Sequence, residues 1–358
     1  MTEWDRQDLG AASPLLHDPE ITDLLSLDAE LAAMLAVECA LARAQASVGV
    51  IDSTALAAIE TACQATVLDR AKLAAGVTRD GVIVPEMVRQ MRAAIAEPHA
   101  KSFHLGTTSQ DITDSSLMLR IRKIMSVLLT RLDALLISLD ALSAKHGDIG
   151  LMARTRTQDA LPFTMADKIS TWHGPLADLR DTAPRTFPIQ LAGPIGLAVE
   201  AFGEQHSTIT KHAAQELELS VPSRSWHTDR RPLMDKAHWA TMLLSALGKI
   251  GHDIIIMNQN SVAEVRVLGG SSSAMAHKNN PVQAEVLVSL ARFGAGQRAI
   301  LDQATAHENE RSGISWTLEW LTLPTITVSC GAALLAANHL LANMKPGHRV
   351  EDRSGAAS

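Results

Sequence analysis

Apolar positions along this chain recur mainly at helical spacing. Near the N-terminus Leu24, Leu27, Leu31, Met34, Leu41 and Ala44 fall on one helical face, and Glu38 fills the gap in that stripe. A carboxylate there reads first as one paired inside a helix packing, and second as a group that helps to shape a site. From Asp111 to about Lys145, residues Leu117, Ile121, Ile124, Leu128, Leu132, Leu135, Leu139 and Leu142 trace a longer apolar face. At a rise of ~1.5 Å per residue that helix is about 50 Å long. Pro232 suits the opening of a second long helix, running to about Arg266, and Pro281 that of a third, to about Glu310. A fourth is expected from Trp316 to Met344. One compact domain seldom holds four such helices, so their remaining apolar faces predict burial between subunits. The expected fold class is all-α, a bundle of long helices. The pattern divides the chain into an N-terminal helical domain (residues 1–105), a central long-helix bundle (106–345) and a polar tail (346–358) expected to be disordered.

Composition narrows the function. The 358 residues are 46% hydrophobic and 20% charged, which fits a folded globular chain. Aromatics make up 3% and tyrosine is absent, which disfavours an all-β protein. A formal charge of −7 argues against a general nucleic-acid binder, yet leaves room for a small anion held by a few local cations. Cys39, Cys63 and Cys330 lack CxxC spacing and read as reduced thiols in a cytoplasmic chain, not as a disulfide framework or zinc site. The opening MTEWDRQDLGAASPLLHD is acidic and has no apolar core, so no secretory signal is expected. The uncharged run from Trp320 to Met344 is long enough for a bilayer. Pro324, Ser329, Gly331, Asn338 and His339 interrupt it, which favours a buried helix and no membrane partner. GxGxxG after a strand, GxxxxGK[ST] and HExxH are all absent, and HENE at 307–310 lacks metal-binding spacing and reads as a solvated turn of helix.

Three polar segments break the helical pattern. HLGTTSQD (104–111) puts Thr107, Thr108 and Ser109 at a helix N-terminus, where free backbone N–H groups favour an anion; ordinary N-capping is the plainer reading. ARTRTQDALPFT (153–164) carries two arginines and a glutamine, and by itself reads as a surface loop. GGSSSAMAHKNNP (269–281) combines hinge glycines, three serines, Lys278 and Asn280, the make-up of a loop that closes over a ligand or of a mere linker.

Together the three segments resemble the loops of the fumarase/aspartase superfamily. The last is similar to its signature G-S-S-x-M-P-x-K-x-N-P, with Ser271 in place of the glycine and Ala276 in place of the proline. MLAVECALARAQASVGVID (34–52) and HENERSGISWTLEW (307–320) extend the likeness over nearly the whole chain. GTTSQDITDSSL, QLAGPIG (190–196) and SWHTDR (225–230) look like the 3-carboxy-cis,cis-muconate cycloisomerase branch, and GVIVPEM (81–87) stands where adenylosuccinate lyases carry a His-Asp pair. Superfamily lyases typically have R-T-H-x-Q where this chain has Arg154-Thr155-Arg156-Thr157-Gln158. An arginine cannot donate a proton near neutrality. That change handicaps a lyase expelling a nitrogen leaving group, but not a cycloisomerase.

The resemblance implies a small tricarboxylate substrate, no redox or metal cofactor, and a homotetramer whose sites are shared between subunits. It implies Ser272 as the proton-transfer residue. Lys278 and Asn280 would hold the carboxylate on which charge develops. Thr108 and Ser109 would bind another through backbone N–H groups, and Arg156 with Arg311 would neutralise the third. Gln158 and Gln259 would orient the substrate. Family members usually continue into a small C-terminal helical domain, which is expected to be missing here. A fumarate-releasing lyase of the same superfamily would need another proton donor, His104 or His227. The loop substitutions also leave open an inactive helical binding protein.

Overall fold

A computed structural model describes residues 10–197, 202–270, 275 and 278–347. Ser272 and most of the polar tail lie outside these residues. The architecture is all-α, with two small two-stranded sheets at one end. Helix α1 (Leu27–Ser47) starts at Ser26, whose hydroxyl accepts from Ala29 N–H at 3.2 Å. Helix α2 (Ser109–His146) starts where Asp111 Oδ2 accepts the Thr108 N–H at 3.0 Å, a first-turn carboxylate that also suits the helix dipole. Its 38 residues make a rod about 57 Å long.

Helix α3 (Arg231–Met257) stops short of the expected Arg266, because the chain reverses through Ala263 at φ 50° and enters strand β3 (Val265–Val267). Helix α4 (Val282–Gln303) likewise ends before Glu310, freeing residues 304–312 as a loop. Helix α5 (Gly313–Ala342) runs through Pro324. Helices α3 and α5 are both long and apolar enough to cross a bilayer, but 50% and 67% of their most apolar stretches are buried within this chain as core. The segment read as a surface loop is instead a hairpin, β1 (Gly150–Thr155) against β2 (Gln158–Thr164), while β3 pairs with β4 (Met344–Pro346). One apolar core extends from Ile21 to Met344.

Helices α3 and α4 run antiparallel along a glycine seam. A Cβ at Gly251 would lie 2.5 Å from the Ala284 carbonyl oxygen and 2.9 Å from Leu287 Cβ; one at Gly248 would lie 2.5 Å from Ala291 Cβ. Backbone cannot yield as a side chain can, so Gly251→Ala is expected to cost about 1–3 kcal/mol through forced separation, more than its gain in helix propensity. Thermal unfolding checks this, and an unchanged midpoint would mean that the two backbones are not in contact.

Candidate active site

The threonine loop is built on buried polar groups at the start of α2. Asp111, wholly enclosed, accepts N–H bonds from Ala192 at 2.9 Å and Gly193 at 3.0 Å, and its Oδ1 lies 3.0 Å from His227 Nε2. It thereby joins all three motifs, TTSQD, QLAGPIG and SWHTDR, at one point. Gln110 Nε2 donates to the His227 carbonyl at 2.9 Å and to Asp114 Oδ2 at 3.2 Å, which leaves Oε1 to accept Arg311 Nε at 2.9 Å. Arg311 also donates to the Pro194 carbonyl at 3.0 Å. Nearby, His104 holds its backbone at φ 59° with Nδ1 2.6 Å from Glu38 Oε1. The polar gap in the α1 stripe is thus a buried carboxylate paired with a partly buried imidazole, and it sits beside the candidate site.

Beneath this layer lies an ion cluster. Arg230, its side chain fully enclosed, donates to Asp114 at 2.7 and 3.0 Å and to Glu319 at 2.7 and 2.8 Å, with its guanidinium 4.9 Å over the Trp226 ring. Two carboxylates face one guanidinium. Burial raises the Asp114 carboxyl above its ordinary range against the pull of Arg230. At Glu319 burial acts in the same direction, but His307 and Arg230 outweigh it and hold that carboxyl low. Contrary to the solvated helical turn expected for HENE, His307 lies in a loop with its side chain 1% exposed and Nε2 3.9 Å from Glu319 Oε1.

The other candidate residues sit at the opposite end of the bundle. Arg156 and Thr157 form the hairpin tip at φ 51° and 68°, the left-handed turn that twists with its strands. Arg156 and Gln158 are exposed there. Arg154, two residues before Arg156, is committed to structure, with two bonds to buried Glu264 at 2.9 and 3.0 Å and a third contact to Asp159 at 3.0 Å. Gln259 is exposed in the turn after α3. Asn280 N–H donates to the Gly270 carbonyl at 2.9 Å, and Gly270 adopts φ 70° where a Cβ would collide with the Asn280 carbonyl. Lys278 is exposed, its N–H on the Met275 carbonyl at 3.0 Å.

Thr108, Ser109 and Arg311 therefore stand at one end of the α2 rod. Arg156, Gln158, Gln259, Lys278 and Asn280 stand toward the other, beyond the far ends of α2 and of α3, rods of about 57 and 40 Å. Among the described residues, one chain does not bring the two groups together. One expectation also needs correction at the atomic level: the Thr108 N–H is taken by Asp111 Oδ2.

Sequence reasoning missed Gln110, Asp111, Asp114, Arg230 and Glu319 as the support of the site. A signal was present. Extending the α2 stripe back from Ile121 and Leu117 at helical spacing meets Asp114 and then Gln110, polar residues on a core face.

A lyase family model matches residues 18–293. A 3-carboxy-cis,cis-muconate cycloisomerase of Pseudomonas aeruginosa is 36% identical over 327 residues, covering 88% of this chain and 71% of that protein. The crystal structure of the 3-carboxy-cis,cis-muconate lactonizing enzyme from Pseudomonas putida superposes with a TM-score of 0.87 at 33% identity, over 94% of this chain and 77% of the other. A fumarate lyase from Mesorhizobium sp. BNC1 gives 0.86 at 27% identity, over 92% and 76%. The chain belongs to this lyase family, within the fumarase/aspartase superfamily.

Proposed function

We propose that this protein is a cofactor-independent cycloisomerase that converts 3-carboxy-cis,cis-muconate into 4-carboxymuconolactone in the protocatechuate branch of aromatic catabolism, in the cytoplasm. The observation that carries the reading is a sorting of cations. Arg154 and Arg230 are consumed by buried carboxylates, whereas Arg156, Lys278 and Arg311 have no carboxylate partner among the described residues. Two of these cations lie on candidate segments and Arg311 is held against the third by Gln110, so the three match a substrate bearing three carboxylates.

In this reading one substrate carboxylate adds to the far double bond, forming the ring C–O bond. The displaced electron pair moves onto the acid conjugated to that bond, giving an aci-carboxylate stabilised by Lys278 and Asn280. Ser272 then delivers a proton to the adjacent carbon and recovers one from solvent, so the tricarboxylate takes up one proton as it becomes the lactone dicarboxylate. Arg156 and Arg311 hold carboxylates as fixed charges. Thr108 and Ser109 supply hydroxyl and amide donors at the helix N-terminus. Gln158 and Gln259 orient the substrate.

A complete site requires one half from each of different copies, which supports an oligomer; we assign a homotetramer with shared sites. Exposed Ile314 and Leu321 on α5, Phe293 and Ile300 on α4, and Met242 on α3 supply apolar surface for it.

Spectroscopy of purified protein with 3-carboxy-cis,cis-muconate tests the reading, with loss of diene absorbance expected as the lactone forms. Arg156→His in the same assay is expected to raise KM about 10–100-fold, the worth of one charge-assisted contact; an unchanged KM and rate would remove Arg156 from the site. The second reading, a fumarate-releasing lyase, is favoured by one feature, the His104–Glu38 pair as an alternative proton donor. Fumarate release from a succinyl adduct, with the muconate untouched, would establish it instead.

A further inference from the structure

The loop 304–312 is attached to the bundle at two points. At one, Arg311 is held by Gln110 and by the Pro194 carbonyl. At the other, His307 is enclosed against Glu319 at 3.9 Å, and among the described residues neither of its ring nitrogens has a partner within hydrogen-bond distance. The two attachments belong to one network. Glu319 binds Arg230, Arg230 binds Asp114, Asp114 accepts from Gln110, and Gln110 accepts from Arg311. The charged groups around the imidazole are Glu319 on α5, with Arg230 and Asp114 behind it, and Glu308 on its own loop. Within the cluster one guanidinium serves two carboxylates, so Glu319 Oε1 has capacity for a further donor.

We infer that His307 is a positioning residue for substrate binding: its ring N–H, closing on Glu319 Oε1, anchors the loop that presents Arg311. The inference rests on reading Arg311 as a carboxylate-binding group. The present separation is about 1 Å longer than a hydrogen bond. A small shift of the loop closes it, and that shift carries Arg311, four residues on. An enclosed imidazole with two idle nitrogens is a retained cost, and its removal couples loop closure to occupation of Arg311. His307 does not touch substrate in this scheme, so it bears on affinity and not on the chemical step.

The experiment compares wild type, His307→Leu and His307→Gln by steady-state kinetics on 3-carboxy-cis,cis-muconate and by calorimetric titration with tricarballylate, a non-reacting tricarboxylate. Thermal unfolding verifies that each variant is folded. His307→Leu is expected to raise KM and the tricarballylate Kd together by about tenfold while kcat stays within about twofold. His307→Gln restores a donor at this position and is expected to bring both constants to within about threefold of wild type. Unchanged KM and Kd in His307→Leu overturn the inference, and so does a glutamine variant no better than leucine. Should His307→Leu not fold, a rise in KM beyond about tenfold in His307→Gln overturns it, and a smaller one supports it. If wild type leaves the muconate untouched but its tricarballylate affinity depends on His307, the reaction assignment fails and the positioning role stands.

Discussion

Arg230→Ala is expected to lower the free energy of unfolding by about 3–5 kcal/mol, the cost of leaving buried carboxylates without their counter-charge. The side chain is fully enclosed and spans Asp114 and Glu319 with four bonds of 2.7–3.0 Å. Removing it strands two acids in the core, opens a cavity against Trp226, and breaks the ion-pair link of SWHTDR to α2 and α5, leaving its His227 bonds to Asp111 and Gln110. Arg230→Lys is expected to recover little, since an ammonium lacks the planar fork that meets two carboxylates at once. Its neighbour Arg231 is exposed and, among the described residues, forms its ion pair with the partly exposed Asp229, so Arg231→Ala is expected to leave the unfolding midpoint unchanged. Denaturant unfolding at fixed protein concentration decides the matter, because assembly adds its own concentration-dependent term. An Arg230→Ala protein as stable as wild type would show that the cluster is not what holds this end of the bundle.

Ser272→Ala is expected to reduce kcat about 10²–10⁴-fold, the usual contribution of a positioned proton-transfer group, with KM altered far less. The hydroxyl leaves the carboxylate-binding groups intact when it is deleted, so tricarballylate affinity serves as the internal control. Turnover at the wild-type rate would move proton delivery to another group, with His104 the first to examine, given its short bond to Glu38.

How much of this was legible in the sequence depended on which force was acting. The long rods were legible because an apolar stripe of eight positions, from Leu117 to Leu142, has no other packing solution than a helix. Helix ends were less so. Nothing in the composition of 258–266 announces the reversal at Ala263, which is stabilised by its own N–H on the Gln259 carbonyl at 2.7 Å and by tertiary pairing of β3 with the distant β4. The hairpin escaped because its tip uses Arg156-Thr157 where a glycine would normally signal a left-handed turn. The motif loops identified the family, but the groups that support them were hidden. A buried Asp114 and a surface aspartate look alike until Arg230, 116 positions later, is known to face it.

The unbroken course of α2 has a consequence for how this chain tolerates change. A single residue inserted anywhere between Thr113 and Leu142 would advance the hairpin by about 1.5 Å and rotate it by about 100° relative to the threonine loop. Only additions near whole double turns, about seven residues, return the same face to the same neighbours, and even these drift by about 20°. Length variation in such a protein is therefore confined to the joints, and the rod itself behaves as a gauge whose calibration cannot slip by a single step.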